Sequence, residues 1–309
     1  MTQRLLNRQL QSTNQLLNNM WLLLFNPTSG GGKGRRYAEQ SLTLMRERGH
    51  EVMEISGFDF RDAEAKFKAA VSAYRDQIKA VIVVGGDGMV HMAIQQLAGS
   101  NIPMGLVAAG TGNDFARALN LNLRDPLSSL ELMLNNEPVK VDLGKVNDRF
   151  FADILSTGFD SVVNERANRM RWIKGRMKYN IAILLVLSTF KPKSYRFRVD
   201  DIEFTTEAML IAVSNGQSYG GGMKVTPEAR IDDGLFDVML LGPVSKLEFL
   251  KVFPKVFSGA HINHPAVKII RGQKVTIDSH AVAYADGERI GELPITAEIS
   301  AGTLTTWRN

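Results

Sequence analysis

The most constraining feature of this chain is a pattern that recurs along its first third: a short apolar run, a loop, then a segment with helical spacing. Trp21 to Phe25 reads as a buried strand, Asn26 to Gly34 as a Gly-rich loop, and Arg35 to Arg48 as a helix. The pattern returns at Glu51 to Ile55 before a helix near Arg61 to Arg75, and at Ala80 to Val84 before Gly85-Gly86-Asp87-Gly88 and a further helix. It returns again at Met104 to Val107 before Gly110-Thr111-Gly112. Strands alternating with helices predict a parallel sheet covered on both faces, whose ligands sit at the carboxyl ends of the strands. Three of the four loops at that edge are rich in glycine.

After about Pro138 the texture changes to short β-like runs: Arg196 to Val199, Ala208 to Val213, Leu235 to Leu241, Lys274 to Ile277 and Ile295 to Ile299. Turn pairs such as Asp233-Gly234 and Asp286-Gly287 separate several of them, and helices are expected near Asp160 to Arg169, Tyr179 to Phe190 and Ser245 to Val252. A length of 309 residues suits two domains at roughly 100 to 200 residues each. The expected division is a flexible leader over 1–19, an α/β nucleotide-binding domain over 20–136, and a β-rich, mainly antiparallel second domain over 137–309, with the active site in the cleft.

Composition removes several chemistries. The absence of cysteine excludes disulfides, thiolate catalysis and cysteine-ligated metal centres, and the five histidines have no zinc spacing. No serine sits in a nucleophile elbow. The longest internal apolar run, Ile181 to Leu187, is far short of the about 20 residues a spanning helix needs. A net charge of +5 suits anionic partners without choosing among nucleotides, nucleic acid and acidic headgroups.

The Gly-rich loops carry the chemistry. In Asn26-Pro27-Thr28-Ser29-Gly30-Gly31-Gly32-Lys33-Gly34 the glycines let backbone N–H groups approach an anion, with the following helix aiming its positive dipole end at the same place; a flexible turn is the alternative. Gly85-Gly86-Asp87-Gly88 adds a carboxylate that could hold Mg²⁺ against phosphate oxygens, and reads as readily as a tight turn. Gly110-Thr111-Gly112-Asn113-Asp114 offers a hydroxyl, an amide and an acid, or simply a helix cap. Neither the Walker spacing nor a dinucleotide fingerprint is present, so a nucleotide site here is of another kind.

In this order, collinear from Trp21 to about Glu288, these residues resemble the diacylglycerol-kinase catalytic superfamily, which includes bacterial diacylglycerol and phosphatidylglycerol kinases and the sphingosine and ceramide kinases. Asn26-Pro27 with Ser29-Gly30 is similar to its first nucleotide loop, Gly85 to Gly88 to its signature, and Gly110 to Arg117 to its second phosphate loop. The resemblance implies ATP contacts from Asn26, Ser29, Gly30 and Ser56. It implies others from Gly85, Gly86, Asp87, Gly88, Met89, Val90 and His91, and from Gly110, Thr111, Asn113 and Asp114. Ala285-Asp286-Gly287-Glu288 resembles the catalytic segment, which implies that Asp286 accepts the lipid hydroxyl's proton while Glu288 orients it or helps hold Mg²⁺, with Asp87 the third catalytic acid. Read alone, Asp286-Gly287 is a hairpin turn.

Arg230-Ile231-Asp232-Asp233-Gly234-Leu235 is similar to a structural Mg²⁺ loop of bacterial members, which implies the Asp233 side chain and the carbonyls of Arg230 and Leu235 as ligands; a plain turn is the alternative. Two positions depart from the pattern. Met89 stands where the signature usually has Thr, and Met92 where an acid is common; both read equally as core residues of the following helix.

The implied reaction is transfer of the γ-phosphate of ATP, with Mg²⁺, to a hydroxyl of a diacylglycerol-like membrane lipid. The implied setting is cytoplasmic, peripheral at the inner membrane face, with no nucleic acid as partner. Arg166, Arg169, Arg171, Lys174, Arg176 and Lys178, interleaved with Trp172 and Tyr179, suit an anionic bilayer surface, a solvated basic loop before a buried helix over Tyr179 to Phe190, or a nucleic-acid patch. Two rival readings stand beside this one: a kinase of a soluble acceptor, like the NAD kinases with their similar Gly-Gly-Asp-Gly loop, and a lipid-binding member without catalysis, for which Met89 is the argument.

Overall fold

The computed structural model describes residues 20–170 and 176–309, with backbone only over 176–180. The expected leader over 1–19, and Arg171, Trp172 and Lys174 of the basic segment, lie outside the described residues. The chain forms two compact units, one running through Lys140 and taking back Leu304–Asn309, the other Val141–Thr303.

The first unit is built from β1 (Met20–Phe25), α1 (Ser29–Glu47), β2 (Glu51–Ile55), α2 (Phe60–Ala73), β3 (Ile78–Gly85), α3 (Asp87–Leu97), β4 (Met104–Ala108), α4 (Asp114–Ala118) and α5 (Ser128–Asn135). Its parallel sheet has the order β2-β1-β3-β4, and Thr306 joins β4 in parallel register with Met104. The central strands MWLLLF, IKAVIVVG and MGLVA are almost wholly buried, the continuous apolar texture of a sheet covered on both faces. On one face Trp21, Leu42, Met45 and Ile82 pack with Trp307, whose ring lies 6.3 Å from that of Trp21 and whose Nε1 donates to Asn136 O at 2.8 Å. The chain steps from β1 outward to β2 and then returns to the other side of β1 as β3. The strand order therefore reverses between β1 and β3, and in open α/β sheets ligands bind at such a switch point.

The second unit contains β5 (Val139–Val146), β6 (Arg149–Phe151), β7 (Ile154–Gly158), α6 (Phe159–Arg169), α7 (Arg176–Thr189), β8 (Lys193–Val199), β9 (Ile202–Ala208), β10 (Leu210–Ser214) and β11 (Phe236–Leu241). It continues with α8 (Lys246–Val252), β12 (Val267–Gly272), β13 (Lys274–Asp278), β14 (Val282–Ala285), β15 (Glu288–Glu292) and β16 (Ile295–Thr306). One antiparallel sheet runs β12-β11-β10-β7-β14-β15; a second pairs β16, β13, β8 and β9. Alternate residues of the two sheets meet in one core, with Leu155, Val213 and Phe236 from the first against Phe197, Val275 and Ile295 from the second. Each such fully buried side chain stabilises by about 1.5–3 kcal/mol. Beside this core, α6, α7 and α8 pack through Phe159, Val163, Val186 and Phe249.

The expected α/β class with a β-rich, antiparallel second part is therefore what folds. Three details differ. The run Ala208 to Val213 is two strands, because Ala208 ends β9 and Leu210 begins β10. The last residues return to the first unit, which a division at 136/137 did not foresee. The helix expected as buried over Tyr179 to Phe190 buries Ala182, Val186 and Leu187 but leaves Leu184 and Leu185 exposed. Among the described residues no helix is long and apolar enough to cross a membrane.

Candidate active site

In the first unit the carboxyl edge gathers the Gly-rich loops. Asn26 closes the first through its side chain, whose Oδ1 accepts from Thr28 N at 2.9 Å and Thr28 Oγ1 at 2.8 Å, and through its carbonyl, which accepts from Ser29 N at 3.1 Å. Gly30, Gly31 and Gly32 follow at φ of 56, 72 and 98°, so α1 is regular only after them. Left-handed backbone favours glycine at all three, but only Gly30 is also pressed against protein: a Cβ there would lie 2.2 Å from Ala109 O. That contact ties the first loop to the end of β4.

The second and third loops touch through their glycine backbones. A Cβ on Gly110 would stand 2.4 Å from Gly86 Cα, and one on Gly86 would stand 2.8 Å from Gly110 Cα. Any larger residue would drive the loops apart. Asp87 locks the same junction, its Oδ2 accepting from Asn113 N at 2.8 Å and its Oδ1 from Asp114 N at 2.8 Å. It therefore caps α4 from a distance, while Asn113, left-handed at φ 57°, turns its side chain back onto Gly110 N and O at 2.9 and 3.0 Å. The cap expected of Asp114 itself is thus supplied by Asp87; Asp114 is buried, with Arg117 Nε 3.8 Å from its Oδ1.

Gly88 is open, Thr111 is exposed, and Met89, Val90, His91 and Met92 are buried in α3. Met89 packs over Gly85, where a Cβ would meet its Cγ at 2.5 Å. Ser56 sits past the end of the edge strand β2, its carbonyl accepting from Lys66 Nζ at 3.4 Å. The described contacts join Asn26, Ser29, Gly30, Gly85, Gly86, Asp87, Gly110, Asn113 and Asp114 into one edge; none joins Ser56 to it.

In the second unit Asp286 and Gly287, at φ 49 and 85°, form the two-residue turn between β14 and β15 that positive φ at both positions specifies. The turn aims the Asp286 carboxylate at the segment between β6 and β7. Its Oδ2 accepts from Ala152 N at 2.6 Å, and its Oδ1 from Asp153 N at 3.0 Å and Ile154 N at 3.2 Å. The same segment is held from its other side by buried Asn215, whose Nδ2 donates to Ala152 O at 2.7 Å and to Asp142 O at 3.0 Å. Glu288 opens β15 with an exposed side chain. Asn215 was not picked out from the sequence; the signal was an Asn-Gly pair directly after an apolar strand.

Asp160 is a second acid that the motifs did not mark. It lies buried at the start of α6, its Oδ1 accepting from Ser161 N at 2.8 Å and its Oδ2 from the Tyr219 hydroxyl at 3.3 Å. Burial raises its carboxyl to about 6 against the opposing hydrogen bonds from Ser156, Ser161 and Tyr219.

At the expected Mg²⁺ loop, Asp233 Oδ1 accepts from Leu235 N at 3.2 Å and its Oδ2 pairs with the Arg271 guanidinium, while the Arg230 side chain turns to Asp232 at 3.3 Å. Asp142 closes the loop from below, accepting from Gly234 N and Gly302 N, each at 2.7 Å. No group of three or more acidic, histidine or cysteine side chains poised for a metal occurs among the described residues.

Known proteins share both halves. The diacylglycerol kinase catalytic domain matches residues 20–146, and the YegS C-terminal NAD kinase beta sandwich-like domain matches 153–308. A diacylglycerol kinase of Mycobacterium tuberculosis is 40% identical over 285 residues, covering 90% of this chain and 91% of the relative. One from Bacillus subtilis is 28% identical over 277 residues, covering 88% and 90%. The crystal structure of a diacylglycerol kinase from Bacillus anthracis superposes with a TM-score of 0.70 at 20% identity, covering 94% of this chain and 97% of that one, a likeness of fold. Since the loops on the first unit and the Asp286 turn on the second fall inside the two matched domains, and a relative 40% identical is spanned almost end to end, the chain belongs to the diacylglycerol kinase family.

Proposed function

We propose that this member of a lipid kinase family transfers the γ-phosphate of ATP to a hydroxyl of a diacylglycerol-like membrane lipid. The observation that carries the reading is the contact of the Gly85–Gly88 and Gly110–Asp114 loops, glycine backbone on glycine backbone, beside a strand switch point. Bare backbone N–H groups at such an edge suit a polyphosphate. At Gly30, Gly86 and Gly110 a Cβ would collide with neighbouring backbone, so glycine lets the three loops close together, while Gly31, Gly32 and Gly88 leave open space beside their backbone; this edge fits a nucleotide.

Asp87 would hold Mg²⁺ against the phosphates. Mg²⁺ needs only one or two carboxylates when phosphates and water complete its shell. When bound, the ion neutralises phosphate charge. Asp286 takes the proton of the lipid hydroxyl, and three backbone N–H groups hold its carboxylate in a single orientation for that task. A carboxylate suffices because positioning and charge neutralisation do most of the work in phosphoryl transfer. Glu288, next but one along the turn, orients the hydroxyl.

The acceptor is reached at the cytoplasmic membrane face. Leu184 and Leu185 on α7, Leu247 and Leu250 on α8, and Phe257 just beyond are exposed, with Lys246, Lys251 and Lys255 among them. Apolar side chains ringed by lysine suit the headgroup boundary of an anionic bilayer. The test is incubation with labelled ATP, Mg²⁺ and a lipid extract, followed by identification of the labelled species. A phosphorylated lipid alcohol is expected; label confined to a water-soluble acceptor would overturn the reading in favour of a soluble-substrate kinase.

A further inference from the structure

We propose that Arg271 fills the structural role that the sequence resemblance gives to a metal ion at the Arg230–Leu235 loop, so that this loop holds its shape without a divalent cation. Asp233 would be the sole side-chain ligand of such an ion, the others being main-chain carbonyls. In this chain both oxygens of Asp233 already have partners, Leu235 N on one and the Arg271 guanidinium on the other.

The guanidinium is placed by strand pairing. Arg271 on β12 stands directly opposite Asp237 on β11 in antiparallel register, and its Nε lies 3.4 Å from Asp237 Oδ2. The Asp237 side chain is only 6% exposed, so it needs a fixed cation beside it, and the register supplies one. The arginine's remaining arm reaches Asp233. The guanidinium stands between the two carboxylates, where a divalent ion on Asp233 would be set against a like charge at close range.

Protein groups also close the loop on its far side. Asp142 accepts from Gly234 N and Gly302 N and donates its own N–H to Ile231 O, each at 2.7 Å. The turn is therefore pinned from both ends by this chain's own atoms. The inference concerns the loop's architecture and does not depend on which acceptor is phosphorylated.

The experiment is thermal melting of the full chain without nucleotide, in EDTA and in millimolar MgCl₂. The wild-type melting temperature should be the same in both. An ion held at a hundredth of the added concentration would instead raise it by about 5–10 °C. A rise of that size, abolished by Asp233→Asn, would overturn the proposal. Arg271→Gln should melt lower in EDTA and recover on adding MgCl₂, since Asp233 and Asp237 then face an open position. A folded Arg271→Gln protein that melts lower with no recovery would overturn the exchange of guanidinium for metal. Should that variant fail to fold, the wild-type comparison decides alone.

Discussion

Replacing Asp286 by Asn tests the fold and the chemistry with one atom. The backbone is not the confounder, because Asn accepts the left-handed conformation at φ 49° as readily as Asp. The side chain is. The carboxylate accepts three backbone N–H groups, two on Oδ1 and one on Oδ2, whereas an amide has one acceptor oxygen. Its best orientation keeps the oxygen on Asp153 N and Ile154 N and turns NH₂ against the Ala152 N–H, a donor facing a donor at what was a 2.6 Å contact. Losing one hydrogen bond to a charged group and stranding its donor costs about 3 kcal/mol. For a domain of this size that lowers the melting temperature by about 6–12 °C.

Turnover, measured well below the lowered transition, should fall by about 10²-fold or more, the usual scale for losing a general base. Nucleotide binding should persist, because every nucleotide contact proposed lies in the other unit. Differential scanning calorimetry and a lipid phosphorylation assay on the same preparation separate the two effects. A melting temperature within about 1 °C of wild type would refute the clamp on the Ala152–Ile154 segment, and near-normal turnover in the folded protein would refute the base.

Met89→Thr should lower the melting temperature, by about 2 kcal/mol of lost packing, with ATP affinity unchanged, because Met89 is buried over Gly85; calorimetric titration showing tighter binding by about 0.5–1.5 kcal/mol would place the new hydroxyl on phosphate instead. Asp160 carries a raised carboxyl, so its protonated form stabilises the fold fully below its ordinary 3.8 and no longer above about 6. Wild type should therefore lose stability between those values, by up to about 3 kcal/mol, while Asp160→Asn should melt higher at pH 7 and show a flatter profile; an unchanged pH profile would contradict this. Neutralising Arg169, Arg171, Lys174 and Arg176 together should remove up to about 4 kcal/mol of binding to anionic vesicles, less at high salt, and spare activity in detergent micelles. Sedimentation that ignores both lipid charge and the substitutions would leave that stretch a solvated loop.

The parallel sheet was legible because burial on both faces writes each central strand as an unbroken apolar run and each loop as a cluster of glycine. β2 emerges with the bounds that Glu51 to Ile55 suggested. Where burial is one-sided or polar the signal failed. The central strand β7, Ile154–Gly158, reads Ile-Leu-Ser-Thr-Gly, and its Ser156 and Thr157 are fully buried polar residues that no alternation rule expects in a core. β12 was missed for the opposite reason, since Lys268, Ile269 and Arg271 are exposed and only its last residue, Gly272, is buried.

What no local pattern could show is the reach of the two acids. Asp87 stands between two glycines at the first residue of α3, and Asp286 precedes Gly287 in the turn between β14 and β15; from the sequence each could be read either as a turn residue or as part of a catalytic set. Each backbone position delivers a carboxylate onto the N–H groups of a remote segment, 26 and 27 residues on for Asp87 and 132 to 134 residues back for Asp286. A carboxylate with several N–H partners is fixed in direction, and a fixed direction is also what a metal ligand or a proton acceptor needs. Structural and chemical roles at these positions are thus not rivals, and loss of activity on mutating either acid is not by itself proof of catalysis. The discriminating quantity is turnover per folded molecule, taken where the variant is fully native.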